Sequence, residues 1–294
     1  MACYSPLQAF QLDSGEVAFS ERGAIKRDLT LPCGQCIGCR LERSRQWAIR
    51  CVHESQLYDY NSFVTLTYDD DHVASDYSLH YPDFQLFMRR LRKHFPDVRF
   101  YMCGEYGDQF GRPHFHACLF NCFFSDRSLL STTAAGSSLY RSPLLERLWP
   151  FGFSSIGDVT FESAAYVARY IVKKVTGDQA DSHYTVLDPE TGELIRRTPE
   201  FTQMSRKPGI GAGWFARYRS DVYEHDYVVI RGSKMKPPRF YDNLLKSASD
   251  FSSDHVEFLR SQKAIERGAR DTPERLAVRQ AVAMARLASL KRKL

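Results

Sequence analysis

Residues 98–120, VRFYMCGEYGDQFGRPHFHACLF, predict two antiparallel strands joined by a loop. Residues 98–103 and 114–120 are rich in aromatic and other apolar side chains, which is typical of strands that contribute to a core. The segment between them, 104–112, contains three glycines, as a hairpin loop often does. The stretch therefore indicates a β-hairpin and, with it, an antiparallel sheet.

Strands and single helices surround this hairpin in the sequence. Residues 1–40 are predicted to be irregular, and 177–212 to form a long polar excursion with a small hairpin. Adjacent hairpin strands separated by single helices indicate an α+β fold, in which helices pack on one face of an antiparallel sheet and a helical C-terminal extension follows. The other predicted strands are 62–68, 153–159 and 227–231, and the predicted helices are 41–58, 162–175, 214–223, 249–268, 273–294 and one that begins at Pro82.

The charge of the chain is concentrated near its C-terminus. The formal net charge is +5, but residues 260–294 alone contain ten Lys or Arg and three Asp or Glu. A segment this basic suits a polyanion such as nucleic acid, and a solvated helix face is the alternative.

The sequence predicts no membrane span, because no run of eighteen apolar residues occurs. The N-terminus also lacks the charged and apolar regions of a signal peptide. We therefore predict a cytoplasmic protein, in which the eight cysteines are free thiols or metal ligands and not disulfides.

The predicted hairpin carries a candidate metal site. His114 and His116 stand two residues apart on one strand, so their side chains point to the same face. Glu105 lies nine residues before His114, and a hairpin loop of that size brings the two strand ends level. Two imidazoles and one carboxylate leave coordination positions open, which favours Lewis-acid chemistry over a closed structural site. The alternative is that both histidines are ordinary strand residues.

The helix predicted at 162–175 carries candidate nucleophiles. Tyr166 and Tyr170 are four residues apart and therefore share a helix face, which Lys173 also joins. A neighbouring ammonium favours the phenolate form of tyrosine and stabilises charge that develops on a phosphate. Tyr166, Tyr170 and Lys173 are therefore the candidate catalytic residues. Aromatic packing against the sheet is the alternative.

A third pattern of candidate ligands lies near the N-terminus. Cys33, Cys36 and Cys39 follow one another at the spacing of a metal knuckle, and Cys3 is a candidate fourth ligand. Four thiolates predict a structural Zn²⁺ site. A turn whose thiols stay reduced is the alternative.

Three blocks of the sequence resemble, in order, the motifs of rolling-circle replication initiators of the HUH endonuclease superfamily. The three blocks are 63–68 (FVTLTY), 113–116 (PHFH) and 166–173 (YVARYIVK). The resemblance is closest to the initiators of gokushoviruses, which are phages of the Microviridae. It also covers residues 32–40 (PCGQCIGCR), 209–215 (GIGAGWF) and 237–241 (PPRFY).

This resemblance implies a core of the RRM or ferredoxin-like type and a nick at a replication origin in single-stranded DNA. It implies Mg²⁺ or Mn²⁺ at the candidate metal site, a 5′-phosphotyrosine link to the enzyme, a free 3′-hydroxyl and later rejoining of the strand. Host DNA polymerase and helicase are the implied partners, and the bacterial host cytoplasm is the implied location.

We predict three regions: a cysteine-containing segment and helix (1–58), the endonuclease domain (59–245) and a basic helical region (246–294). One alternative function is a non-catalytic nucleic-acid-binding module with an RRM-like sheet and a zinc knuckle, although the aromatic motif expected of such modules is missing from the sequence. A metal-dependent hydrolase that uses water is another alternative.

Overall fold

A computed structural model describes residues 3–107, 111–133, 136–188, 191–248, 254–268 and 271–289, and within these ranges the side chains of 169–173, 254 and 266–268 are not described. The chain divides into two compact units. Unit 1 comprises Met1–Arg43 and Ser252–Arg292, and unit 2 comprises Ser44–Phe251.

The strands and helices follow one another along the whole described chain. The strands are β1 (Leu7–Leu12), β2 (Val17–Ala18), β3 (Ile25–Leu31), β4 (Asn61–Tyr68), β5 (Arg99–Tyr106), β6 (Pro113–Phe120), β7 (Ser128–Thr132), β8 (Ser138–Arg141), β9 (Gly152–Gly157), β10 (Thr185–Leu187), β11 (Leu194–Arg196), β12 (Phe201–Met204), β13 (Val228–Ile230) and β14 (Ser233–Met235). The helices are α1 (Ile37–Ser55), α2 (Tyr81–Leu91), α3 (Pro143–Leu148), α4 (Phe161–Lys173), α5 (Gln179–Tyr184), α6 (Ala212–His225), α7 (Arg239–Ser247), α8 (Asp254–Gly268) and α9 (Pro273–Ser289).

The main sheet of unit 2 has the strand order β12-β5-β6-β4-β9-β8-β7. Its neighbouring strands all pair antiparallel. The predicted α+β class, with an antiparallel sheet and C-terminal helices, is therefore confirmed. The hairpin predicted at 98–120 forms its centre as β5 and β6, and β5 continues to Tyr106 where the sequence predicted a loop from residue 104.

Helices cover both faces of this sheet, whereas the sequence predicted helices on one face. The strands β5 and β6 are buried along almost their whole length, so both of their faces need an apolar cover. One face packs against α2 and α3, through residues such as Phe87 and Leu145 on the helices. The other face packs against α1 and α4, through residues such as Ala48 and Val167.

Two regions predicted without regular strands contain them. The prediction that residues 1–40 are irregular was wrong, since β1, β2 and β3 form a small antiparallel sheet there. Within the polar excursion, β10 and β11 form the predicted small hairpin, but β12 joins the edge of the main sheet beside β5. Both sheets depend on partners distant in the sequence, which short apolar patterns do not reveal. Among the described residues, no helix combines the length and the apolar character that crossing a membrane requires.

Candidate functional site

The register of β5 and β6 brings the candidate metal ligands together. Glu105 pairs with His114, and Cys103 pairs with His116. Directly paired residues of antiparallel strands point to the same face, and so do residues two apart on one strand. The three side chains therefore converge on the face of the sheet that α4 covers, and their ligand atoms all lie within 4.8 Å of one another.

The carboxylate of Glu105 is the centre of this cluster. Its Oε1 atom lies 3.2 Å from Nε2 of His114 and 3.3 Å from Nε2 of His116. Glu105 is only 1% exposed and His116 is also buried, whereas His114 is half-buried. A buried carboxylate needs positive charge or hydrogen-bond donors nearby, and a cation held between these three side chains would supply that charge.

Hydrogen bonds on the far side of each imidazole set its orientation. Nδ1 of His114 lies 3.0 Å from the carbonyl oxygen of Arg112, and because a carbonyl only accepts, Nδ1 donates. Nδ1 of His116 lies 2.9 Å from Oγ1 of Thr65 on β4. Both contacts leave Nε2 as the ring atom that faces Glu105. Such partners fix the tautomer of a metal-binding histidine.

The helix α4 places Tyr166 against the cluster. Thr160 and Ser163 cap the start of the helix reciprocally, with N–H to hydroxyl distances of 2.8 and 3.1 Å. Ala164 and Ala168 are fully buried against the sheet, and their small side chains allow a close approach. As a result, the hydroxyl of Tyr166 donates a 2.7 Å hydrogen bond to Oε1 of Glu105.

The aromatic ring of Tyr166 also meets His116 edge-on, with ring centroids 4.9 Å apart. The structure thus brings Tyr166 together with the three candidate ligands. The other two candidate catalytic residues, Tyr170 and Lys173, lie on α4 with side chains outside the described residues.

The donor set of this cluster fits a divalent cation. Two imidazole nitrogens and a carboxylate oxygen suit Mn²⁺ or Zn²⁺, and the carboxylate also suits Mg²⁺. A carboxylate has two oxygens, so Glu105 is able to bind a cation and accept the hydrogen bond from Tyr166 together. Three protein ligands leave room for further oxygen ligands, which is typical of a catalytic metal site.

The four candidate zinc ligands meet in unit 1. The sulfur of Cys3 lies 3.7 Å from that of Cys33 and 3.9 Å from that of Cys36, and the sulfurs of Cys33 and Cys39 are 4.0 Å apart. These distances are too long for disulfides, and all four cysteines are free. Four sulfurs that bind one zinc tetrahedrally at about 2.3 Å lie about 3.8 Å from each other. The arrangement therefore matches the outline of a tetrahedral thiolate site.

Backbone amides support these sulfurs. The N–H groups of Tyr4, Cys33 and Cys36 each donate to a cluster sulfur at 3.3 Å. Burial raises the pKa of the Cys36 thiol, but donation from the Tyr4 amide and from neighbouring groups outweighs it and lowers the pKa to about 6. A thiol with such a pKa is largely thiolate at neutral pH, which is the form that binds metal.

Thr65 is the residue of the site that the sequence analysis did not single out. It pairs with His116 in the β4–β6 register and holds the imidazole of that histidine. The signal was present in residues 63–68, where Thr65 and Thr67 alternate with apolar residues. Alternation predicts a polar strand face, but it does not identify the strand that this face will meet.

The chain is similar to proteins of known name over most of its length. Residues 61–175, which run from β4 to just beyond the end of α4, match the family model of the replication-associated protein ORF2. The matched segment contains Glu105, His114, His116 and Tyr166.

Three curated relatives cover more of the chain. The replication-associated protein VP4 of Bdellovibrio phage phiMH2K is 36% identical over 259 residues, which are 84% of this chain and 78% of that protein. The replication-associated protein ORF2 of Spiroplasma virus 4 is 30% identical over 293 residues, with 90% and 87% covered. The replication-associated protein ORF4 of Chlamydia phage 1 is 28% identical over 246 residues, with 79% and 58% covered. No solved structure matches significantly.

Proposed function

The chain belongs to the family of phage replication-associated proteins, and on this basis we propose that it nicks and rejoins single-stranded DNA at a replication origin. Its membership confirms the resemblance to rolling-circle replication initiators that the sequence indicated. A protein of this family acts in DNA replication and therefore binds DNA. The nick, the tyrosine link and the metal are the further steps that we propose.

One observation carries the proposal: the hydroxyl of Tyr166 lies 2.7 Å from the same carboxylate oxygen that both histidines approach. Neither core packing nor a binding module requires a phenol in this position. A nucleophile beside a candidate cation site, with an acceptor for its proton, is the arrangement that phosphoryl transfer to a side chain needs.

In the proposed reaction, Oη of Tyr166 attacks the scissile phosphorus and the bond from phosphorus to the 3′-oxygen breaks. The phenol proton passes to Glu105, and the departing 3′-oxygen takes up a proton to become a free hydroxyl. The 5′-phosphate remains esterified to Tyr166. One phosphate ester replaces another, so the reverse attack by a 3′-hydroxyl rejoins a strand without an added energy source.

A divalent cation, Mg²⁺ or Mn²⁺, held by Glu105, His114 and His116 supplies Lewis-acid polarisation of the phosphate oxygens. Thr65 and the Arg112 carbonyl keep the two imidazoles turned toward that cation. We assign a second strand transfer to Tyr170, and stabilisation of charge on the phosphate to Lys173. Both assignments follow from the sequence pattern on α4.

The proposal extends to the setting of the reaction. The free 3′-hydroxyl is a primer for a host DNA polymerase, and no nucleotide-binding loop of the helicase type occurs in the sequence. We therefore propose that a host helicase unwinds the duplex and that the protein works in the cytoplasm of a bacterial host.

A covalent-adduct assay tests the proposal. Purified protein is incubated with Mn²⁺ and a labelled pool of single-stranded DNA of random sequence, and denaturing gels resolve protein linked to DNA. We expect an adduct that Tyr166→Phe and His116→Ala abolish and that a chelator prevents. Sequencing the attached strands then identifies the preferred nick site.

The matched control is Tyr218→Phe, which changes an exposed tyrosine on α6 and should leave the adduct intact. Cleavage without an adduct would replace this mechanism with hydrolysis by water. Binding without cleavage, on a pool that contains every short sequence, would favour the non-catalytic module.

We also propose that Cys3, Cys33, Cys36 and Cys39 bind one structural Zn²⁺. The support is the near-tetrahedral spacing of their sulfurs and the three amides that donate to them. Four thiolates fill all positions of a tetrahedral ion and leave none for substrate. This zinc would stabilise unit 1 and take no part in the chemistry.

A further inference from the structure

Phe153 is an aromatic residue exposed on a strand inside the main sheet. Its side chain is 69% exposed, although β9 lies between β4 and β8. The solvent face of an antiparallel sheet normally carries polar side chains. A single exposed apolar residue is common on protein surfaces, so the exposure alone says little. The position of Phe153 relative to the candidate metal ligands says more.

Phe153 stands in the same row of the sheet as two of those ligands. Glu105 pairs with His114, His114 pairs with Thr67 and Thr67 pairs with Phe153. Paired residues of antiparallel strands point to the same face, so Phe153 lies on the face that bears the cluster. Two strand spacings separate β6 from β9, which places Phe153 about 10 Å from His114 between Cα atoms.

Hydroxyl side chains line the sheet between the cluster and Phe153. In the adjacent row, His116 pairs with Thr65, and Thr65 pairs with Ser155. Thr65, Thr67 and Ser155 are half-buried and form what we call the hydroxyl strip. Packing contacts place α4 mainly over β5, β6 and β12, to one side of this strip. A polar floor thus leads from the candidate cation site to an exposed aromatic ring.

We propose that Phe153 stacks on the unpaired base of the nucleotide next to the scissile phosphate, while the hydroxyl strip lies under its sugar and phosphate. This inference rests on the proposed nicking function. Aromatic rings bind bases of single strands in this way, and hydroxyl groups donate to phosphate oxygens. In a duplex both faces of each base are already stacked, so Phe153 selects the single strand. It acts as a positioning residue for the phosphate that Tyr166 attacks.

Photocrosslinking tests this contact without requiring cleavage. Tyr166→Phe protein is mixed with oligothymidine that carries one 5-iodouracil, and near-ultraviolet light crosslinks the modified base to an aromatic side chain stacked on it. We expect mass spectrometry to find the crosslink on the peptide that contains Phe153. A crosslink confined to other peptides would overturn the proposal.

Affinity provides the second readout. Phe153→Ala should raise the Kd for oligothymidine about tenfold, which is within the range for loss of one stacked base, and leave the Kd for a duplex unchanged. Phe153→Trp should restore binding because it restores the ring. The matched control is Tyr60→Ala, since Tyr60 is 59% exposed and precedes the opposite end of β4. An equal Kd in Phe153→Ala and wild type would also overturn the proposal.

The two proposals fail separately in these experiments. A crosslink at Phe153 in a protein that forms no covalent adduct would contradict the nicking function and leave the base contact. An adduct that depends on Tyr166, without a crosslink at Phe153, would contradict the base contact and leave the nicking function.

Discussion

The two clusters of candidate metal ligands differ in ligand chemistry and in how the chain assembles them. Glu105, His114 and His116 come from one hairpin and supply one oxygen and two nitrogens, with a tyrosine hydroxyl beside them. The cysteine cluster joins Cys3 to a turn thirty residues later and supplies sulfur alone. The first set leaves coordination positions open, and the second fills a tetrahedron.

Ligand type in these clusters separates a contribution to chemistry from a contribution to stability. Removing a ligand from an open site removes a reaction but leaves a sheet that other contacts hold. Removing a ligand from a closed thiolate site in a small unit removes a cross-link between distant segments, and stability falls. Substitutions in each cluster should therefore change different measured quantities.

The largest effect is expected from Glu105→Gln. The amide is a weak ligand for a cation and no longer accepts the phenol proton, so two contributions are lost together. Each is worth several kcal/mol in a transition state, and we expect the rate of adduct formation to fall about a thousandfold or more. Single-turnover kinetics measure this rate.

The matched control for that change is Glu146→Gln, because Glu146 is a glutamate on α3 whose side chain is partly exposed and lies outside both clusters. It should react at the wild-type rate. The zinc content of Glu105→Gln should equal that of the wild type, and a loss of zinc there would erase the distinction between the clusters.

Cys36→Ser should act on stability. Structural zinc contributes about 10–16 kcal/mol of binding free energy in small domains, and loss of one thiolate should cost unit 1 several kcal/mol of that. Atomic emission should find one zinc per wild-type chain and much less in the variant, and hydrogen exchange should show faster exchange in β1 and β3. Cys122→Ala removes a buried cysteine outside the cluster and should retain zinc. Equal zinc content in Cys36→Ser and wild type would contradict the assignment.

Thr65→Val should weaken the catalytic cation without removing a ligand. Loss of the hydroxyl that holds Nδ1 of His116 should reduce Mn²⁺ affinity about 10–100-fold, as for other partners of metal-binding histidines. Thr67→Val is the matched control, because His114 is held by the Arg112 carbonyl and not by Thr67. Electron paramagnetic resonance titration of Mn²⁺ measures both. Equal losses in the two variants would show that Thr65 acts only through the strand.

The smallest effect concerns His53, a histidine outside both clusters. It is 1% exposed, stacks on Trp214 with ring centroids 3.5 Å apart and contacts the Tyr241 hydroxyl. Burial lowers its pKa from 6.5 to about 3. Below pH 6.5 the unfolded chain therefore binds a proton that the folded chain excludes, so stability falls as the pH falls.

Between about pH 7 and pH 5 this histidine should cost about 2 kcal/mol of unfolding free energy. Urea unfolding at both pH values measures the change, and His53→Gln should show a pH dependence smaller by that amount. A variant with the same dependence as the wild type would mean that His53 is protonated in the folded state.

The sequence predicted most of the local geometry of the candidate site. Alternation along a strand places His114 and His116 on one face, and the loop length brings Glu105 level with them. Helical spacing places Tyr166 on a helix, as α4 confirms. These predictions succeeded because each depends on a few covalent steps and on fixed backbone periods. The roles of these residues remain predictions.

Long-range pairing was less predictable. The small sheet of β1, β2 and β3 was expected to be irregular, and β12 was placed in a loop although it pairs with β5. Helices were expected on one face of the sheet and cover two. Such pairings depend on the sum of many weak burial contributions from distant segments, and no short pattern contains that sum.

The amino-acid sequence alone establishes which groups are available and which way they point along each element: two imidazoles on one strand face, a carboxylate across a hairpin and three thiols in one turn. The tertiary structure then establishes which elements meet. It places Tyr166 on the Glu105 carboxylate, Thr65 behind His116 and Phe153 in the row of His114. The physical reason is that backbone periodicity is local, whereas contact between elements is set by packing of the whole sheet and its two helical layers.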